Sequence, residues 1–147
     1  YWLIVHDKQT NETKKLINFF QKLGSIVEIV NTEYHDKILA ITSHLPHLIA
    51  YTIVGTAFDL ETDLKNDVIK FSASGFRDFT RIASSDPIMW RDVFLNNSDA
   101  VLEMLQRFNE DLSDLQKAIR KKDGDKLHSF FSRTRSIRKK IIEAGQI

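Results

Sequence analysis

The sequence has 147 residues, of which 42% are hydrophobic and 28% charged, an ordinary balance for a soluble globular protein. This composition excludes collagen-like, mucin-like and wholly disordered chains. Five Gly and two Pro are too few for the many turns of an all-β sandwich or barrel. The chain has no Cys, which excludes disulfides and thiolate metal sites. No unbroken apolar run reaches the roughly 18 residues of a membrane span, and we expect no membrane partner.

The first 30 residues predict a strand–helix–strand unit. The apolar run at residues 2–5 (WLIV) is typical of a buried strand. Thr10 can cap a helix, and Gly24 stands where that helix should end. Residues 25–30 (SIVEIV) then form a second strand, as in a βαβ crossover. Because two strands alone do not make a stable sheet, we expect the chain to be a piece of a longer protein.

After this unit the sequence predicts only helices. Residues 34–59 predict one long helix, which Pro46 kinks or restarts because proline lacks a backbone N–H. A shorter acidic helix is predicted over residues 61–70, and residues 72–75 (SASG) are the main flexible stretch. The change from α/β to all-α sequence places a domain boundary near residue 32.

The last part of the sequence predicts a helical hairpin. Ser85-Asp86-Pro87 has the capping residues and first-turn proline of a helix start. Apolar residues from 101 to 119 follow in steps of four and three, and those from 127 to 141 repeat the spacing. A turn at residues 122–125 joins the two helices. We expect the resulting apolar seam to pack against a second copy.

The net charge of +1 is unevenly distributed, since residues 117–147 carry ten Lys or Arg against three Asp or Glu. A basic segment of this kind can bind nucleic acid or a membrane surface. It is more often a solvated helix face. No aromatic platform on a basic sheet and no Gly-rich arm accompanies it, so we expect no nucleic-acid partner.

His44 and His47 flank Leu45-Pro46, and residues three apart share a helix face. A metal site would need a third ligand at a fixed spacing, and the sequence shows none. Two imidazoles are costly in an otherwise apolar helix. They could bond a carbonyl or carboxylate, or titrate near neutrality. The residues alone leave a functional and a structural role equally open.

Arg77 and Arg81 would lie one turn apart on one face if their segment is helical. Guanidinium donors bind a carboxylate or a phosphate in a bidentate manner. The alternative is a set of surface ion pairs with Asp78, Asp86 and Asp92, each worth little. The neighbouring SASG stretch favours a ligand site, because a flexible segment beside fixed cations can enclose a ligand.

Both clusters belong to longer motifs. The first is His35-Asp36-x-x-x-Ala40-x-x-Ser43-His44-Leu45-Pro46-His47, and the second is Gly75-Phe76-Arg77-Asp78-Phe79-Thr80-Arg81-Ile82-Ala83-Ser84-Ser85-Asp86-Pro87-x-Met89-Trp90-Arg91-Asp92. In this order they resemble the prephenate/arogenate (cyclohexadienyl) dehydrogenase family, over most of the chain. The resemblance implies a mainly α fold: a helical dimerisation domain, residues 33–147, preceded by a strand–helix–strand remnant of an α/β dinucleotide-binding domain, residues 1–32.

The resemblance also implies an activity, the NAD- or NADP-dependent oxidative decarboxylation of prephenate or L-arogenate in tyrosine biosynthesis. The protein would be a cytoplasmic homodimer. The family's catalytic histidine and glycine fingerprint lie upstream of this sequence. We therefore expect no catalytic residue in this chain, a cofactor bound mainly by the missing domain, and little activity from the chain alone.

Residue by residue, the resemblance assigns a substrate carboxylate to Arg81. It places His47 in the substrate pocket, with His44 and Ser43 beside it. Positions near the pocket or the dimer contact are Arg77, Asp78 and Trp90. The alternative hypothesis is a non-catalytic helical dimerisation or interaction module with a basic C-terminal surface, which would bind nucleic acid in a salt-dependent manner.

Overall fold

A computed structural model describes residues 1–6, 10–59, 67–68 and 70–145, and it begins with the expected strand–helix–strand unit. Strand β1 (Trp2–Val5) pairs in parallel with β2 (Val27–Val30), and helix α1 (Asn11–Lys22) connects them. The Thr10 side chain caps α1 by accepting a hydrogen bond from the Thr13 N–H. Gly24 follows at φ +80°, which favours glycine. The second strand starts two residues later than predicted.

The long helix predicted over residues 34–59 is a continuous helical stretch made of three segments. They are α2 (Thr32–Leu39), a π-helical turn (Ala40–His44) and α3 (Leu45–Phe58). In the π-turn, the N–H of Leu45 donates to the carbonyl of Ala40, five residues earlier. Pro46 lies in the first turn of α3, where a missing N–H costs little. The sequence left a kink or a new helix open at Pro46, and the structure begins a new α-helical segment one residue before it.

By length and composition alone, the stretch Thr32–Phe58 could cross a membrane. It has 27 residues and a mean hydropathy of 1.4 over its most apolar window, of which 22% is buried within the chain. The sequence criterion of an unbroken apolar run did not single it out, because Thr, Ser and His residues interrupt it. An exposed apolar surface of this extent is expected to be buried against another molecule or another domain.

Two shorter helices and a turn follow: α4 (Ser74–Thr80), a 3₁₀ turn (Arg81–Ser84) and α5 (Pro87–Asn96). The prediction for residues 72–75 is wrong in its second half, because Ser74 and Gly75 already belong to α4. The helix predicted over residues 61–70 lies mostly outside the described residues. Asp86 caps α5, with its Oδ1 accepting from the N–H groups of Ile88 and Met89, as predicted.

The predicted hairpin consists of α6 (Ser98–Arg120) and α7 (Gly124–Glu143). Asn97 separates α6 from α5, a break that the apolar spacing did not reveal. The turn between α6 and α7 contains Lys122 at φ 54°, and Asp123 caps α7 by accepting from the Lys126 N–H. The mainly α fold with a preceding strand–helix–strand unit is confirmed.

The chain forms two compact units, residues 1–104 and 105–147. The buried apolar residues of the first unit are Ala40, Leu45, Ala50, Trp90 and Val101. In the second unit, an apolar groove of about 580 Å³ is lined by both α6 and α7. Its apolar lining residues are Leu112, Leu115, Ile119, Leu127 and Phe131. Each unit thus leaves much apolar surface without cover from its own residues.

Candidate functional site

The first unit brings His44, His47, Trp90 and Phe94 together, and we call these four residues the His–Trp cluster. The His47 and Trp90 rings stack with centroids 3.7 Å apart and planes at 24°. His44 meets the same indole edge-on at 6.1 Å, and Phe94 lies 5.6 Å from it. Trp90 is only 7% exposed. Residues from the π-turn, α3 and α5 therefore converge on one buried indole.

The protonation of His47 can be deduced from one contact. Its Nδ1 lies 2.8 Å from the backbone carbonyl oxygen of Ser43. A carbonyl oxygen only accepts hydrogen bonds, so Nδ1 carries the hydrogen. Nε2 is then the nitrogen left for a ligand, as an acceptor when the ring is neutral and as a donor when it is charged. Ser43 contributes through its backbone.

His44 is buried, with 8% of its surface exposed. Burial lowers the pKa of His44 below the usual histidine value, His35 and His47 lower it further, and Asp36 opposes them. The side-chain amide nitrogen of Asn97 lies 3.2 Å from the Nδ1 atom of His44. Since desolvation penalises the charged imidazole, the structure favours a neutral ring at this position.

The indole nitrogen Nε1 of Trp90 is buried and has no hydrogen-bond partner among the residues that the structure describes. A buried donor without an acceptor costs about 1–3 kcal/mol. An oxygen atom of a bound molecule would remove that cost. The His–Trp cluster therefore contains an unsatisfied donor as well as the two imidazoles.

Arg81 is the first residue of the 3₁₀ turn. The residue that follows this turn, Ser85, accepts a hydrogen bond of 2.7 Å at its backbone carbonyl oxygen from the Tyr51 hydroxyl of α3. Arg77 and Arg81 are exposed, and neither forms an ion pair within the described ranges. The predicted alternative of surface ion pairs is not seen there, because Asp86 caps α5 and Asp92 binds Arg91 Nε at 2.7 Å.

The structure thus joins some predicted site residues and not others. Direct contacts join His47 to Ser43 and to Trp90, and His44 to Trp90. Arg81 lies on a turn that packs on α3, but no described contact joins its side chain to the His–Trp cluster. Exposed positions on α4 hold Arg77 and Asp78. In the described part of the chain, no three His, Asp or Glu side chains are grouped to hold a metal ion.

Sequence reasoning missed two residues that hold this region together, Asn97 and Tyr51. Each makes a contact with a residue more than 30 positions away: Tyr51 with Ser85, and Asn97 with Asp36 and His44. The only local signal was an asparagine between two apolar helical segments. Such long-range contacts leave no mark in the spacing of residues.

Comparison with known proteins identifies the family. A sequence model of the family described as "Prephenate dehydrogenase, dimerization domain" matches residues 31–133. The chain belongs to this family. It is 37% identical over 123 residues to the cyclohexadienyl dehydrogenase of Zymomonas mobilis, covering 84% of this chain and 42% of that protein. It is 33% identical over 130 residues to the prephenate dehydrogenase of Lactococcus lactis, covering 88% of this chain and 36% of that protein.

The fold of the chain is also similar to about half of a solved prephenate dehydrogenase. The prephenate dehydrogenase of Aquifex aeolicus, solved with hydroxyphenyl propionate and NAD+, superimposes with a TM-score of 0.84 and 33% identity, covering 95% of this chain and 49% of that one. The chain spans less than half the length of the curated relatives that it matches. Both motifs that carried the resemblance lie within the matched residues 31–133, so the resemblance to this family is confirmed.

Proposed function

We propose that the chain is the C-terminal portion of an NAD- or NADP-dependent dehydrogenase that oxidatively decarboxylates prephenate or L-arogenate in tyrosine biosynthesis. Its membership of the dimerization-domain family and its similarity to the Aquifex aeolicus enzyme, solved with NAD+ and a hydroxyphenyl carboxylate, support this. Residues 1–32 would complete the dinucleotide-binding domain and residues 33–147 would form the helical domain. The start of the family match at residue 31 agrees with that boundary.

The observation that carries the proposal is the His–Trp cluster, one of whose helices, α3, packs against the turn bearing Arg81. The guanidinium of Arg81 can bind a substrate carboxylate through two parallel hydrogen bonds. His47 offers Nε2, and Trp90 offers a buried N–H without a partner. A substrate bearing carboxylates and a hydroxyl group supplies an acceptor for the Trp90 N–H and a donor for the Nε2 lone pair of a neutral His47. The carboxylate that leaves as CO₂ must be held without being stabilised more than the transition state.

The cofactor would be bound mainly by sequence that we propose precedes residue 1. This chain has no Gly-rich phosphate loop, so its own residues do not fit the dinucleotide phosphates. The dinucleotide would supply the hydride acceptor that the oxidation needs. Trp2, Leu16, Phe19 and Leu23 are exposed apolar residues on β1 and around α1. Parallel sheets are covered on both faces, so we propose that the missing domain covers these residues.

We propose a cytoplasmic homodimer without a membrane or nucleic-acid partner. The groove between α6 and α7 is apolar and open, and a second copy of the chain would fill it. The name of the family, a dimerization domain, supports this partner. Obligate dimers bury large apolar interfaces, and such an interface, together with the missing domain, would also cover the apolar stretch Thr32–Phe58.

The test uses the full-length protein that contains this chain, with prephenate and with L-arogenate, and with NAD and with NADP, followed by the absorbance of the reduced cofactor. In Arg81→Ala, we expect KM to rise by about 10- to 100-fold, since hydrogen bonds to charged groups are worth about 1.5–3 kcal/mol. Arg120→Ala, which removes an exposed arginine at the end of α6, is the matched control and should leave KM unchanged.

The faster substrate identifies the pathway branch, and the preferred dinucleotide identifies the cofactor. An unchanged KM in Arg81→Ala would refute the role of Arg81. A folded dimer that binds NAD or NADP but turns over neither substrate would refute the proposed function.

A further inference from the structure

Asn97 lies in the break between α5 and α6 and contacts two distant segments. Its side-chain nitrogen Nδ2 is 2.9 Å from the backbone carbonyl oxygen of Asp36 in α2. The same nitrogen is 3.2 Å from Nδ1 of His44 in the π-turn. One half-buried amide therefore links α2, the π-turn and the start of α6.

These two contacts determine the orientation of the Asn97 amide and the ring nitrogen of His44 that carries the hydrogen. The carbonyl oxygen of Asp36 can only accept a hydrogen bond, so the amide of Asn97 must present its NH₂ group on this side. The second hydrogen of that group is then directed to His44 Nδ1, which must accept. A neutral histidine that accepts at Nδ1 carries its hydrogen on Nε2.

We propose that Asn97 is a positioning residue that keeps His44 uncharged and protonated at Nε2 within the substrate site. The proposal that this is a substrate site rests on the function proposed above, whereas the tautomer follows from the geometry. Protonation of His44 at Nδ1 would set an N–H against the amide N–H of Asn97, and the two donors would repel each other. The site's second imidazole has the opposite form, because His47 is protonated at Nδ1.

The surroundings of His44 act in the same direction. The titratable groups that influence it are His35 and Asp36 on α2 and His47 on α3. Burial and the two histidines disfavour a charge on its ring, and Asp36 alone favours one. His44 thus offers a ligand an N–H donor, and His47 offers a lone-pair acceptor when its ring is neutral. This pair suits a substrate that presents both an acceptor and a hydroxyl.

The first test reads the tautomer of the unaltered full-length protein by NMR with ¹⁵N- and ¹³C-labelled histidine. His44→Gln and His47→Gln assign the two sets of signals. We expect a hydrogen on Nε2 of His44 and on Nδ1 of His47, without substrate present. A hydrogen on Nδ1 of neutral His44 would overturn the proposal. The tautomers are read from the unaltered protein, and either variant that folds is enough to tell the His44 signals from those of His47.

The second test is Asn97→Asp, which replaces the donor with a carboxylate of the same shape. We expect the pKa of His44 to rise by about 1 unit or more, the range for an opposite charge at this distance, and its neutral hydrogen to move to Nδ1. The acid side of the pH profile of KM should move upward with it. Asn96→Asp is the matched control, because the Asn96 amide is exposed and donates to Asp92 within α5.

A folded Asn97→Asp protein whose His44 keeps its pKa and tautomer would contradict the proposal. An equal change in Asn96→Asp would also contradict it, since it would assign the effect to charge alone. Both readouts are taken from the protein without substrate. A failure of the turnover experiment would therefore leave the conclusion on the His44 tautomer unaffected. A failure of these readouts would likewise leave the proposed dehydrogenase function unaffected.

Discussion

At the scale of single residues, the burial of His44 makes the free energy of unfolding depend on pH. Burial lowers the pKa of His44 in the folded chain, so at mildly acid pH the unfolded chain binds more protons. The free energy of unfolding therefore falls as the pH drops through about 6.5, the usual histidine pKa. His44 contributes at most about 1.4 kcal/mol per pH unit to this slope.

We expect His44→Gln to flatten the slope, as measured by urea unfolding between about pH 5 and 8. His128→Gln, which replaces an exposed histidine of α7, is the control and should retain the slope. An unchanged slope in His44→Gln would show that the chain can protonate this ring without loss of stability.

Residues whose role is fixed by their neighbours in sequence could be predicted. Thr10 and Asp86 act as caps as expected, because a cap bonds the N–H groups two or three residues later. The tautomer of His44 and the unsatisfied Nε1 of Trp90 could not be predicted, because they depend on which distant residues surround them. The sequence singled out the two histidines as candidate site residues, but not what each one can donate or accept.

At the scale of elements, we expect the substitution Gly→Ala to have opposite effects on the free energy of unfolding at two positions. Gly24 has φ +80° after α1, and nothing lies within 4 Å of the position of an added Cβ, so backbone strain alone makes Gly24→Ala destabilising, by about 1–2 kcal/mol. Gly55 lies inside α3, also with open space for a Cβ. Gly55→Ala should stabilise by about 0.5–1 kcal/mol.

Urea unfolding of the two variants at one protein concentration tests the expected loss of stability in Gly24→Ala and the expected gain in Gly55→Ala. Each variant serves as the other's control. A destabilising Gly55→Ala would show that this position is in contact with another surface in the assembled protein. A neutral Gly24→Ala would show that α1 can end without a left-handed residue.

The elements that were misjudged are those shaped by packing rather than by local signals. The flexible stretch was read from small residues, yet Ser74 and Gly75 form the first turn of α4, which packs on α3. The break at Asn97 is invisible in the apolar spacing, because the residues on both sides keep a helical pattern. Pro46 was expected to kink the helix or start a new one, and α3 begins one residue before it, but the π-turn that precedes α3 was not predicted.

At the scale of the whole molecule, the distribution of apolar residues predicts what the chain must assemble with. No large side chain in the described ranges is fully buried. Uncovered apolar residues occur on β1 and α1, on the Thr32–Phe58 stretch and on the hairpin. The heptad-like spacing correctly indicated an apolar seam on α6 and α7. It could not indicate how much of that seam the hairpin covers itself, which depends on how closely the two helices approach.

The groove between α6 and α7 provides the test of assembly. Ile119 lines it and is 64% exposed, so Ile119→Glu should leave the fold of the single chain intact. If a second copy buries this position, the new carboxylate is desolvated without a partner. We then expect the dimer to weaken by at least about 10-fold, a loss of about 1.4 kcal/mol, measured by sedimentation velocity of the full-length protein at micromolar concentration.

Lys121→Glu adds the same side chain to the exposed turn after α6, outside the groove, and should leave the dimer unchanged. A dimer that tolerates Ile119→Glu would place the interface elsewhere, with the exposed apolar residues of α3 as the next surface to test. A protein that is monomeric before any substitution would refute the homodimer itself. Loss of the dimer in Ile119→Glu alone, with unchanged circular dichroism, would locate the subunit contact in the groove and explain why this hairpin leaves it open.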